Sequence, residues 1–212
     1  MSAPLAPGFL IASPPLGDPN FERTVVLLAI HGPRGALGFV VNRVAPLKLG
    51  EVMSLAGYGE RAGAASGVVY LGGPVEPGSG WILSNDSALI ATPPPADASA
   101  PGTDNDSVID VTESVKISSS RSAFDALARD LELPDPDAAA AAALKQRLVF
   151  LGYSGWGPGQ LEGEIAQGAW LPAPFDSGVV FDVDVTKRWE AAYALLGVSP
   201  AMSIGMRTVG EA

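Results

Sequence analysis

The 212-residue chain contains no cysteine. Disulfides, thiolate metal sites and a cysteine nucleophile are therefore excluded, and the absence fits the reducing cytoplasm. Histidine is nearly absent too, since His31 is the only one. A lone imidazole reads as a hydrogen-bonded structural group before it reads as a ligand or base. Long apolar runs are also missing. No window approaches the ~18 apolar residues that a membrane helix requires. The opening MSAPLAPGFLIASPPLG has no basic segment, and its apolar stretch is only Phe9 to Ala12, so it is not read as a signal peptide. Positive charge is scarce: 13 basic residues stand against 23 acidic ones, and the longest basic run is Lys187-Arg188. Nucleic-acid affinity comes mainly from neutralising phosphates, so a net charge of −10 argues against direct DNA contact and against an anionic membrane surface. No phosphate loop of the G-x4-G-K-[ST] type and no helix-turn-helix pattern occurs.

What is present is an ordinary globular pattern. A chain of this length buries roughly 70% of the surface exposed by its unfolded form, enough for a core without staples. Short strands are expected at Phe9 to Ser13, Thr24 to Ile30, Ala36 to Asn42, Val68 to Leu71 and Trp81 to Leu83. Further strands are expected at Val108 to Ile117, Arg147 to Leu151, Ala169 to Leu171 and Val179 to Val183. Helical spacing marks Leu49 to Ala56, Ser122 to Leu131, the alanine run 138–143, and about Thr186 to Leu196. Adjacent strands pair directly as well as alternating with helices. The expected class is therefore α/β in the α+β sense, with a mixed sheet flanked by helices. The stretch PPPADASAPGTDNDS, about 93–107, is polar and proline-rich and is expected to be a flexible surface insert in one domain spanning 1–212.

Several motifs come close to chemistry. Gly152-Tyr-Ser-Gly155 begins like a nucleophile elbow, but Trp156 stands where the elbow needs glycine. A hydrolase or transferase using Ser154 or His31 would require the serine hydroxyl to reach a base. Gly57 to Ala62 matches a loose dinucleotide pattern but follows a helix instead of a strand. Asp182 and Asp184 are expected on one strand face without a third ligand, and Asp104 and Asp106 lack a calcium-loop continuation. No metal or cofactor is expected.

The most function-like segment is Gly152 to Glu164, GYSGWGPGQLEGE, read as a glycine loop running into a short helix. Pro158 suits a first helical position, and the helix-start N–H groups and the Gln160 amide suit an anion or polar ligand. The competing reading is tight packing around Trp156 and Trp170. Candidate binding residues cluster at strand ends: Asp18, Phe21, Asn42, Gly72, Gly73, Pro74, Gly152, Tyr153, Trp156, Gly159, Gln160 and Glu164.

Taken together, GFLIASPPLGDPNFERTVVLL (8–28), GALGFVVNR (35–43), VYLGGPVE (69–76), GYSGWGPGQLEGEI (152–165) and AWL (169–171) resemble the YqgE/AlgH family of bacterial proteins. Order and spacing agree along nearly the whole chain. The sequence departs from the family pattern at Val44, where proline is usual, and at Ser154, where alanine is usual. The insert at 93–107 is also long. The resemblance implies a cytoplasmic bacterial protein whose partly closed or bifurcated sheet is flanked by helices. It implies no established catalytic activity. The family's label of transcriptional regulator comes from a link to alginate synthesis. On an acidic chain it implies an indirect route, through an unknown small molecule or protein partner.

Overall fold

The computed structural model describes residues 5–59, 65–85, 107–131 and 146–202. The 93–106 part of the insert, the alanine run 138–143 and most of the Gly57 to Ala62 pattern's second half lie outside the described residues. The chain divides into two compact units built from interleaved segments. Unit 1 holds Met1–Arg43, Leu71–Pro77 and Gly152–Ala212; unit 2 holds Val44–Tyr70 and Gly78–Leu151. The chain passes between them four times, at 43/44, 70/71, 77/78 and 151/152. Three of these passages fall inside strands, which is why no linker or composition shift marks them in the sequence.

Unit 1 is built on strands β1 (Gly8–Ala12), β2 (Val25–Gly32), β3 (Gly35–Val40) and β10 (Trp170–Pro174), with the second half of β9 (Arg147–Trp156). Their order is β10-β1-β2-β3-β9. The β1/β10, β1/β2, β2/β3 and β3/β9 registers are antiparallel. Phe9 to Ala12 and Val25 to Leu28 are almost wholly buried, as continuous apolar runs demand when both sheet faces are covered. The edge strand β10 carries Pro172 and Pro174, facing Leu10 and Gly8 of β1. Proline lacks the N–H that a further strand would pair with, so this edge is blunted. One face packs on helix α5 (Arg188–Ala194), preceded by the 3-10 turn Val185–Lys187 and the short helix α4 (Ser177–Phe181). The other face packs on helix α3 (Gln160–Ala166).

Unit 2 contains β4 (Val44–Lys48), helix α1 (Leu49–Leu55), β5 (Val68–Leu71, whose last residue belongs to unit 1), β6 (Val75–Ser84, likewise shared), β7 (Val108–Asp110), β8 (Lys116–Ser118) and helix α2 (Arg121–Leu131). The order β9-β6-β8-β7 is joined by a side branch in which β5 pairs with both β4 and β9. Strand β9 therefore has more neighbours than a simple ladder allows, which is the branched sheet the family resemblance implied. Helix α2 presents Ala123, Phe124, Leu127, Ala128 and Leu131 to the interior, as its spacing predicts.

Four expectations are corrected. Val179 to Val183 is not a strand: Asp176 accepts a hydrogen bond from the Val179 N–H at 3.1 Å and caps α4, overriding the β-branched run. Asp182 and Asp184 consequently do not share a strand face; Asp182 ends α4, and Asp184 caps the 3-10 turn through the Thr186 N–H. The segment 108–117 is a turn flanked by β7 and β8, not one strand. Val44–Lys48, which sequence spacing passed over, is a strand despite Pro46, because it lies at an edge where a missing donor is tolerated.

Candidate functional site

The glycine segment is mostly strand. β9 runs through Gly152 to Trp156, and only Gly157 to Gly159 forms the turn before α3. Pro158 lies before the helix, and Gly159, in the left-handed conformation at φ 75°, is the N-cap. Gly152, Ser154 and Trp156 are buried while Gly155 is exposed, the alternation of a half-buried strand. Ala36, Leu37 and Gly38 pair with Trp156, Gly155 and Ser154. The glycines serve close approach. A Cβ on Gly73 (φ +155°) would stand closer than 3.0 Å to the Ser154 hydroxyl and the Tyr153 carbonyl. A Cβ on Gly152 (φ +68°) would come within 2.7 Å of the Gly73 carbonyl. These two candidate residues, with Gly72 and Tyr153, form one tight backbone junction. Pro74 is exposed beside it.

A second group gathers on the α3 face of the sheet. Trp156, Trp170 and Leu161 are buried with Leu10, Val26, Leu28 and Val40. The Phe21 ring stacks on Trp156 at 6.2 Å and meets Trp170 edge-on at 5.3 Å. Both indole N–H groups donate to one oxygen, Glu164 Oε2, at 2.9 and 2.7 Å. Gln160 Nε2 donates to Glu164 Oε1 at 2.9 Å, and Gln160 Oε1 accepts the Gly157 N–H at 3.0 Å. The carboxylate thus accepts three charge-assisted hydrogen bonds. Trp170 lay outside the sequence candidates; the signal for it was its place in AWL, which reads as a strand and gives no hint of a shared acceptor.

The donors expected to meet an anion are largely engaged within the chain. The Gln160 N–H bonds the Gly157 carbonyl at 3.1 Å, the Gly157 N–H bonds Gln160, and the Gln160 amide bonds Glu164. The Glu162 carboxyl is held below the ordinary range first by a backbone N–H, its own, and next by the hydrogen bond to His31. That segment is therefore a hydrogen-bonded turn.

Asp18 and Asn42 order the neighbouring loop. Asp18 Oδ1 accepts the Asn20 N–H at 2.7 Å, and its carbonyl accepts the Phe21 and Glu22 N–H groups, which sets Phe21 against the tryptophans. Asn42 accepts the Val25 N–H at 2.8 Å and donates to the Arg23 carbonyl at 2.9 Å, bracing Arg23 at φ 53°. Arg43 adds two hydrogen bonds to the Pro19 and Glu22 carbonyls, at 2.6 and 3.2 Å. The Gly72 carbonyl accepts the Val40 N–H, so the glycine junction adjoins the end of β3.

Ser154 is fully buried, and its hydroxyl donates to the Gly72 carbonyl at 3.0 Å. His31 Nδ1 accepts the Leu5 N–H at 3.3 Å, and its Nε2 lies 2.9 Å from Glu162 Oε1. The two groups are therefore engaged separately, and no hydrogen bond joins them. Among the described residues, no group of three or more His, Asp or Glu side chains is arranged to hold a metal ion. No helix among them is long and apolar enough to cross a membrane.

The AlgH-like family model (DUF179) matches residues 9–201. The chain belongs to this family. A UPF0301 protein of Anaeromyxobacter sp. (strain K) is 42% identical over 204 residues, covering 94% of this chain and 91% of that one. A UPF0301 protein of Myxococcus xanthus is 40% identical over 201 residues, covering 94% and 95%. The solution structure of the AlgH protein from Pseudomonas aeruginosa superposes with a TM-score of 0.66 at 32% identity, over 95% of each chain. A crystal structure of a Corynebacterium diphtheriae protein, 21% identical with a TM-score of 0.55, shares the fold. The AlgH-like kinship agrees with the resemblance carried by the strand-end motifs.

Proposed function

We propose that this AlgH-like protein is a non-enzymatic binding or regulatory protein of the bacterial cytoplasm. Its partner is a small molecule or a protein, met by the surface around the Asp18–Phe21 turn, Asn42, Pro74 and the Trp156–Glu164 segment. The observation that carries this reading is the state of the two groups that catalysis would use. The Ser154 hydroxyl is buried against a backbone carbonyl, and His31 is held between Leu5 and Glu162. Nucleophilic catalysis needs a serine within reach of its base, and here each is engaged elsewhere. By contrast, half-buried Phe21 offers an aromatic edge beside ordered backbone, which suits recognition. With a net charge of −10, any effect on transcription would run through a partner, not through direct DNA contact.

Two measurements test the proposal. Ester and phosphoester panels run with the native chain and Ser154→Ala are expected to show no turnover that the substitution abolishes; such turnover would sink the reading. A gel shift at low salt is expected to show no retardation at micromolar protein. Binding itself is read from tryptophan fluorescence. A partner that engages this surface is expected to perturb Trp156 and Trp170, and the response should be lost in Phe21→Ala.

A further inference from the structure

His31 is tied to two segments far apart in sequence. Its side chain is 13% exposed and has a different partner on each ring nitrogen. On one side stands the Glu162 carboxylate, an acceptor only, kept ionised by a backbone N–H and by His31 itself. Nε2 must therefore carry a hydrogen. On the other side stands the Leu5 backbone N–H, a donor only, so Nδ1 must present its lone pair. The partners fix a neutral imidazole with its hydrogen on Nε2. Adding a proton to Nδ1 sets two N–H groups facing each other at the Leu5 contact. It strengthens the Glu162 contact at the same time. One proton thus exchanges one tether for the other.

We propose that His31 is a proton-operated clasp: neutral, it holds Leu5 against β2, and protonated, it releases Leu5 while gripping α3 through Glu162. Leu5 and Ala6 pack against the Leu10, Trp156, Leu161 and Trp170 cluster, so release uncovers part of that cluster's apolar edge. Among the described residues, the groups around the ring are few. Glu162 faces it from α3; Ala36, its register partner on β3, is uncharged, as are Leu5 and Ala6; and Arg34 is exposed in the β2–β3 turn. His31 is the chain's only histidine, so imidazole ring signals in the test belong to one residue. The device does not depend on whether the cluster binds a partner.

The test is backbone NMR of the full chain from about pH 8 to about pH 5, the interval in which imidazoles protonate. Leu5 amide exchange is divided by its intrinsic rate, and the His31 ring signals are followed in the same samples. Leu5 protection is expected to fall about tenfold, one contact of ordinary strength, with the midpoint of the His31 transition. His31→Asn keeps an acceptor near the Nδ1 position and cannot titrate, so its Leu5 protection is expected to stay flat. Glu162→Gln is expected to retain the step, because the release occurs at Nδ1. Unchanged Leu5 protection through the His31 transition, a step that survives in His31→Asn, or a step lost in Glu162→Gln would each overturn the clasp.

Discussion

Both faces of the unit 1 sheet carry tryptophan, and they satisfy the indole N–H in different ways. Under α5, the Trp189 indole and the Tyr193 hydroxyl donate to one backbone oxygen, the Ala12 carbonyl, at 3.0 and 3.3 Å. Arg188 on the same helix donates to the Val41 and Val183 carbonyls. Under α3, Trp156 and Trp170 donate to a side-chain carboxylate, Glu164. A backbone carbonyl is fixed by the strand that carries it. A carboxylate sits on rotatable bonds and bears charge. The α5 face is anchored through backbone carbonyls, whereas the α3 face is held through a side chain. Of the candidate residues, Trp156, Gln160 and Glu164 lie on the second face and Phe21 packs against it, while Gly72, Gly73, Pro74, Gly152 and Tyr153 gather at the glycine junction.

The largest expected effect falls on the sheet that both faces share. Gly73→Ala forces a Cβ against Ser154 and Tyr153 and should cost about 2–4 kcal/mol, seen as a lower urea midpoint. Gly163→Ala, inside α3 with open space around it, should instead stabilise by about 0.5–1 kcal/mol. If both changes were neutral, the close-approach account of the glycine junction would fail. Next, Glu164→Ala orphans two buried indole donors and should cost about 2–3 kcal/mol in chemical denaturation, with a shift in tryptophan emission. A loss below about 0.5 kcal/mol would mean that the carboxylate does not organise the α3 face. Trp189→Phe should cost less, about 1–2 kcal/mol, because the Ala12 carbonyl keeps the Tyr193 hydroxyl.

The smallest effects are titrations. The folded Glu162 carboxyl is shifted down, so its contribution is present above the ordinary carboxyl range and is lost as pH falls through its folded value. Acid unfolding curves of the native chain and Glu162→Gln should therefore separate at mildly acidic pH and converge in strong acid. The α5 contacts to backbone carbonyls supply no matching acid step. In unit 2, burial and the hydrogen bond to Asp125 push Tyr58 from 10.0 up to about 12. Its neutral form favours the fold, so that contribution should hold below about pH 10 and disappear as pH rises towards about 12. A phenolate titration of the native chain should show a late group that is absent in Tyr58→Phe, while Tyr153, which burial and Glu76 also push up, stays late in both.

The sequence was most legible where local patterning and burial agree. Phe9 to Ala12, Val25 to Leu28 and the α2 stripe fall where apolar spacing places them. Gly168 and Gly197, both left-handed, stop helices α3 and α5 as expected of glycine. It misled where a single polar residue outweighed a run: Asp176 turns Val179 and Val180 into helix. Gly152 to Trp156 read as loop because four glycines stand among residues 152–159, yet each of the strand glycines is there to admit a neighbouring backbone or to occupy an exposed strand position.

By itself, then, the sequence determined the class, the absence of thiol chemistry, the acidic field and the family, because these depend on composition and on order along the chain. Only the tertiary structure decided what the candidate groups do. That Ser154 meets the Gly72 carbonyl, that one carboxylate holds two tryptophans, and that His31 stands between Leu5 and Glu162 are contacts between residues distant in sequence. Such pairings are set by strand register and helix placement, and no local spacing encodes them.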